Sequence, residues 1–275
     1  MTDQTPGRSG LDYLPCLYGQ SKVLFRGPRR RLIAPYASYL GGTETYGRFV
    51  PRPFPALVED ALALRSVNLG CLNAGIDLYL RDESLLEIAR KGAVTVIEVS
   101  GAHLNSNRFY AVHPRRNDRF LHASPLLQTI YPEIDYTEFH FTRHMLTRLR
   151  EASEAKFFMV QQELQDAWIA RMRTLIERVG GRVILLWMSR HAPDAAGQDL
   201  AAPSEPLFVT RAMVDAVAEG ADALVEIVAT PGEIGDGKDG LMFGPEDAAA
   251  AEEMLGTCVH ARAAAVLGDL LSGTR

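Results

Sequence analysis

Three short stretches of the 275-residue chain gather glycine with hydroxyl and amide side chains: residues 41–47 (GGTETYG), 70–75 (GCLNAG) and 101–108 (GAHLNSNR). Glycine lets backbone amides come close to a ligand, and Ser, Thr and Asn side chains donate to an oxygen carrying developing charge. If the three stretches meet, Gly42, Thr43, Glu44 and Thr45, then Gly70 and Asn73, then Asn105 and Asn107 would surround one polar crevice. Taken singly, each also reads as an ordinary polar turn.

A second constellation lies in residues 106–119 (SNRFYAVHPRRNDR). The planar guanidinium fork suits carboxylate, phosphate or sulfate, so Arg108, Arg115 and Arg116, with His113, would clamp an anion if they face the crevice. The competing reading pairs these arginines with Asp118, Asp135 and Glu138 to pin the segment down. His140 and His144 stand four apart, a spacing that can grip a metal on a helix face. The glutamate of an HExxH motif is absent and no third ligand is near, so no metal and no cofactor are assigned. Cys16, Cys71 and Cys258 are too few and too scattered for a disulfide framework or a CxxC knuckle.

The elements that would position these residues alternate. Strands are expected at 36–40, 67–69, 94–99, 183–188 and 223–228, with the first placed after Pro35 because a central ladder tolerates proline poorly. Helical spacing runs through 54–64, 78–89, 158–179 and 208–218, and an Ala-rich segment at 245–271 is broken near Gly256. This alternation predicts one three-layer α/β/α domain over 1–275, with a five-stranded parallel sheet in the flavodoxin-like order 2-1-3-4-5. Ligands then bind beyond the carboxyl ends of the strands, between the first and the third. Residues 1–30 read as a lead-in whose Arg29, Arg30 and Arg31 form a solvated face or an anion contact. Residues 105–150 interrupt the alternation and read as an insertion over that edge, with a helix near 139–149.

Composition narrows the partners. The 29 basic and 34 acidic residues leave a net charge of -5, the wrong sign for a general nucleic-acid binder. Hydrophobic residues at 47% and charged ones at 23% exclude wholesale disorder. No run approaches the roughly 18 apolar residues of a membrane span. The polar start MTDQTPGRSG lacks an apolar signal core, so the expected location is cytoplasmic and the expected partner a small-molecule substrate or anionic ligand.

From about residue 32 to 107 the chain carries Leu40-Gly41-Gly42-Thr43, then Asn68-Leu69-Gly70 with Asn73-Ala74-Gly75, then Gly101-Ala102-His103-Leu104-Asn105. In order and spacing these blocks resemble the SGNH (GDSL-type) hydrolase and acyltransferase superfamily. The resemblance implies that Thr43 stands at the serine nucleophile's position, Gly42 at the preceding aspartate's, Gly70 at the second-block glycine and Asn105 or Asn107 at the oxyanion-binding asparagine. The family's closing Asp-x-x-His has no counterpart; Met254 stands where the histidine would be, and His260 or His113 is left as base. Two expectations follow. One is an ester hydrolase or acyltransferase acting on carbohydrate-type or lipid-linked esters, with threonine in place of serine. The other is a non-catalytic protein of the same fold that binds an anionic or sugar-like molecule.

Overall fold

The computed structural model describes residues 10–194, 200 and 205–272. In chain order it contains β1 (Tyr36–Leu40), α1 (Thr43–Tyr46), α2 (Phe54–Leu62), β2 (Arg65–Asn68), α3 (Ile76–Leu80), α4 (Glu83–Lys91) and β3 (Val94–Glu98). There follow β4 (Tyr110–His113), β5 (Arg116–Ala123), α5 (Pro125–Ile130), α6 (Thr142–Ala152), α7 (Glu154–Val179) and β6 (Val183–Ser189). The chain closes with α8 (Arg211–Ala218), β7 (Ala223–Val228), α9 (Pro231–Gly235), α10 (Ala248–Glu252) and α11 (Thr257–Leu271).

Five strands pair in parallel in the order β2-β1-β3-β6-β7, and helices cover both faces. The three inner strands β1, β3 and β6 are buried along their whole length because helices cover both faces, while the edge strands β2 and β7 are partly exposed. Side chains still alternate: Val183, Leu185 and Trp187 of β6 enter one core, while Ile184, Leu186 and Met188 enter the other. The first core packs against α3, α4, α7 and α8, centred on Trp168 of α7, whose indole donates to the Ser100 carbonyl at 2.8 Å. The second packs against Phe54 and Val58 of α2 and Val259, Ala263 and Leu267 of α11. From β1 the chain passes to β2 on one side and returns to β3 on the other, which opens a crevice past the ends of β1 and β3. No single helix among the described residues is long and apolar enough to cross a membrane.

Three local expectations are corrected. The helix read across 78–89 is divided at Arg81-Asp82, where the Asp82 side chain accepts from the Ser84 amide at 3.1 Å and starts a new helix. The segment read as a loop with one helix holds the antiparallel hairpin β4–β5, which shifts register around Val112, before α5 and α6. The lead-in is partly structural. Tyr18 and Phe25 are fully buried, Cys16 pairs with Phe25, and the buried Arg26 donates to the carbonyls of Gly47 and Pro51. Residues 1–9 of that expectation lie outside the described residues.

Candidate functional site

Past the carboxyl ends of β1 and β3 lies a cavity of about 650 Å³. All three glycine-bearing stretches contribute to its wall: Gly42, Thr43 and Glu44 from the first, Asn73 and Ala74 from the second, Gly101, His103 and Leu104 from the third. The volume is that of an ordinary small-molecule site.

Its floor is Glu98, the last residue of β3. One carboxylate oxygen, Oε2, accepts from the Gly42 amide (2.9 Å), the Thr45 amide (2.9 Å) and the Thr45 hydroxyl (2.5 Å). Burial pushes this carboxyl up to about 7, against the pull of those donors and alongside the nearby Glu44. Thr45 is therefore no ligand contact: it is fully buried, with its hydroxyl engaged by Glu98. Sequence reasoning missed Glu98, although a lone acid inside VTVIEV was a visible signal.

Thr43 opens α1. Its hydroxyl donates to the Asn73 side-chain oxygen at 3.2 Å and accepts from the Asn73 amide at 3.1 Å. The Asn73 side-chain amide in turn donates to Asp118 at 3.3 Å. Among the described residues, no imidazole is a partner of the Thr43 hydroxyl.

His260 lies elsewhere. It is completely buried in α11 and stacks on Phe54, with ring centroids 6.0 Å apart. The Phe54 amide can only donate, so Nδ1 accepts it (3.3 Å) and the ring proton sits on Nε2, 3.3 Å from Glu44 Oε2. Glu44 Oε1 also accepts from the Leu255 amide at 3.2 Å. Both nitrogens of His260 thus tie α11 to α1 and α2, which corrects its expected role as base.

The oxyanion-donor assignments change in the same way. The Gly70 amide is engaged by Asn68 Oδ1 at 2.8 Å, and a Cβ at Gly70 would fall 2.4 Å from the Tyr46 nitrogen. Glycine is needed there for close packing on α1. Asn107 caps its own turn, accepting from the amides of Phe109 (2.8 Å) and Tyr110 (3.1 Å). Asn105 is fully buried; its Oδ1 accepts from the Ile76 amide at 3.1 Å, and its Nδ2 has no protein partner. Arg108 turns away from the crevice onto Glu163, with Nε donating to Oε2 at 2.6 Å. His113, Arg115 and Arg116 line a second cavity. The imidazole of His113 accepts from the Arg115 amide at 3.2 Å. His140 precedes α6 rather than sharing a helical face with His144, so their four-residue spacing does not make a metal grip.

The first cavity holds groups the sequence did not single out. His103 Nε2 stands 3.4 Å from Glu205 Oε1, and Arg143 Nη2 reaches the same oxygen at 2.8 Å. Burial holds the His103 imidazole below the ordinary histidine range, so it is neutral at pH 7. His103 Nδ1 and Thr142 Oγ1 are buried without a partner among the described residues, and both residues line the cavity. Burial pushes the Cys71 thiol up to about 11, so the cysteine within the second stretch stays protonated.

Solved structures to which the chain shows similarity include a carbohydrate esterase family 2 enzyme with a carbohydrate-binding domain from Corynascus thermopiles (Myceliophthora fergusii). The similarity covers 90% of this chain and 69% of that one, at 12% identity and a TM-score of 0.44. A catalytic mutant of an acetylxylan esterase from Geobacillus stearothermophilus is similar over 85% of this chain and 92% of its own, at 16% identity and a TM-score of 0.45. An alpha/beta hydrolase from the metagenome of Lake Arreo, Spain, is similar over 88% and 95%, at 14% identity and a TM-score of 0.46. No curated protein matches the sequence. Over residues 1–275 the sequence matches the family described as "Domain of unknown function (DUF6473)", and the chain belongs to that family.

Proposed function

We propose that this chain is a single SGNH-like α/β domain whose first cavity binds a sugar-like small molecule, free or acylated, without cleaving it. The observation that carries this reading is the Thr43 hydroxyl, held by both the side chain and the amide of Asn73 instead of by a base. An amide oxygen cannot take the proton that a nucleophilic hydroxyl must lose. The lining favours a neutral ligand. Even with Glu98 left out, Glu44, Asp118, Glu205 and Glu253 outnumber Arg143 and Arg190, a lining that disfavours anions. Hydroxyl and amide groups of Thr43, Asn73, Ser100, Thr142 and Ser189 suit a polyhydroxylated ring. The buried, unpartnered His103 Nδ1 and Thr142 Oγ1 supply hydrogen-bonding capacity that a ligand would complete.

A second reading is ester cleavage or acyl transfer by Thr43. It is favoured by the Thr43 amide, which has no acceptor among the described residues, and by a neutral imidazole, His103, braced by Glu205 in the same cavity. Thermal unfolding in the presence of neutral mono- and oligosaccharides and their acetylated forms tests the first reading. At about 100 times Kd, a ligand of the folded state adds about 2.7 kcal/mol of stability. The expected result is stabilisation by at least one sugar, weakened in Thr43→Val. No stabilisation by any of them would remove the proposal.

A further inference from the structure

A second cavity of about 880 Å³ adjoins the first and shares Asn73, Asp118 and Phe141 with it. Its charge is opposite. Lys22, Arg115, Arg116 and Arg119 surround it, with Asp118 as the single carboxylate among the described residues. Several arginines elsewhere are paired with acids, as Arg108 is with Glu163, Arg211 with Glu226 and Arg262 with Glu233. Among the described residues, no hydrogen bond or ion pair reaches the side chains of Lys22, Arg115 or Arg116. Asp118 already accepts from Asn73.

The cations sit on a fixed frame. Asn117, fully buried between Arg116 and Asp118, accepts from the amides of Gly75 (2.7 Å) and Leu78 (3.3 Å) and donates to the His113 carbonyl at 3.0 Å. This fastens the hairpin tip to the start of α3. The Arg119 guanidinium lies over the Phe141 ring, 4.9 Å from its centroid. Lys22 is held between the buried Ser21 and Val23. Two separate segments thus bring unneutralised cations to one recess, and a frame set before binding reduces the ordering a ligand must impose.

We propose that this second cavity is a subsite for a tetrahedral oxyanion, so that the ligand is a phosphorylated or sulfated sugar-like molecule whose anionic group lies among Arg115, Arg116 and Lys22. This rests on the sugar-binding reading for the neutral part of the ligand only. Four cations facing one carboxylate suit the nearly double charge of a phosphate monoester better than a singly charged group, and the guanidinium forks match the oxygens of phosphate or of a sulfate ester.

The test is calorimetric titration of the full chain at fixed ionic strength with inorganic phosphate, sulfate and acetate, then with a hexose and its 6-phosphate. Phosphate or sulfate should bind more tightly than acetate. The double variant Arg115→Gln, Arg116→Gln should lose about tenfold or more in that affinity, the scale of a charge-assisted contact. Arg108→Gln, whose guanidinium sits on Glu163, should bind phosphate as the parent does. Absence of phosphate and sulfate binding, or equal binding by the double variant, would overturn the subsite. Arginine-dependent phosphate binding that gains nothing from the attached hexose supports the subsite and overturns the sugar reading instead.

Discussion

The two cavities share a wall and differ in how their charges are balanced. In the first, Arg143 is matched by Glu205, Thr43 by Asn73, and Glu98 by the amides that open α1. In the second, Lys22, Arg115 and Arg116 face the recess unmatched. A polar group already satisfied by the protein contributes shape and orientation, whereas an unsatisfied cation contributes field, which attracts opposite charge. On the proposed reading, the same polypeptide would hold the neutral and anionic parts of one molecule side by side. On that reading too, the Thr43 hydroxyl held by the Asn73 amide is positioned without a base to activate it.

The contrast can be broken most severely at Glu98. Glu98→Ala would strand two amides and the Thr45 hydroxyl in a buried site, and should cost about 3–5 kcal/mol in urea unfolding. An effect below about 1 kcal/mol would show that water replaces the carboxylate. The same residue sets a pH dependence. Its carboxyl is pushed up to about 7 in the folded protein, against an ordinary 4.5. The folded state thus holds a proton that the unfolded chain releases. The resulting stability is complete below about 4.5 and is lost as pH rises through 7, a span worth about 3 kcal/mol. Urea midpoints between pH 4.5 and 8 should fall more steeply in the parent than in Glu98→Gln; parallel profiles would contradict the assignment.

His260→Ala is expected next in size, about 2–4 kcal/mol, because it empties a fully buried, stacked position and removes the partner of the Phe54 amide and of Glu44 Oε2. If His260 were a base, the variant would instead lose activity at nearly full stability. Thr43→Val removes one hydroxyl from the first cavity and should weaken sugar binding by about 1 kcal/mol, read as a several-fold rise in Kd. The smallest effect belongs to Arg108→Ala, whose urea midpoint should stay close to the parent's, since its guanidinium is largely exposed and the residue-108 amide still donates to the buried Glu163.

The sheet was the legible part. VTVIEV and VILLWM are runs of β-branched and bulky apolar residues bounded by glycine or polar turns, and strands covered on both faces leave this mark. The strands expected at 36–40 and 223–228 begin and end at the residues that β1 and β7 do. The hairpin β4–β5 was hidden because its bulge at Val112 breaks the two-residue period, and its Pro-Arg-Arg tip lacks a common hairpin turn signature. At the site, glycine and small polar residues pointed to three stretches that do line one cavity. Partner identity was not readable: Gly70, Thr45, Asn107 and His260 carry the right groups, but each is engaged by a residue distant in sequence or by its own turn. Glu98 and the His103–Glu205–Arg143 cluster depend on contacts from β3 to α1 and across more than 60 or 100 residues of chain, which no local pattern encodes.

The central claim, that the first cavity binds without Thr43 attacking an ester, is tested most directly by p-nitrophenolate release from p-nitrophenyl acetate. The expected result is a rate in the parent protein no higher than in Thr43→Val, with no initial burst. Sustained turnover that disappears in Thr43→Val would contradict it and would make the threonine a nucleophile.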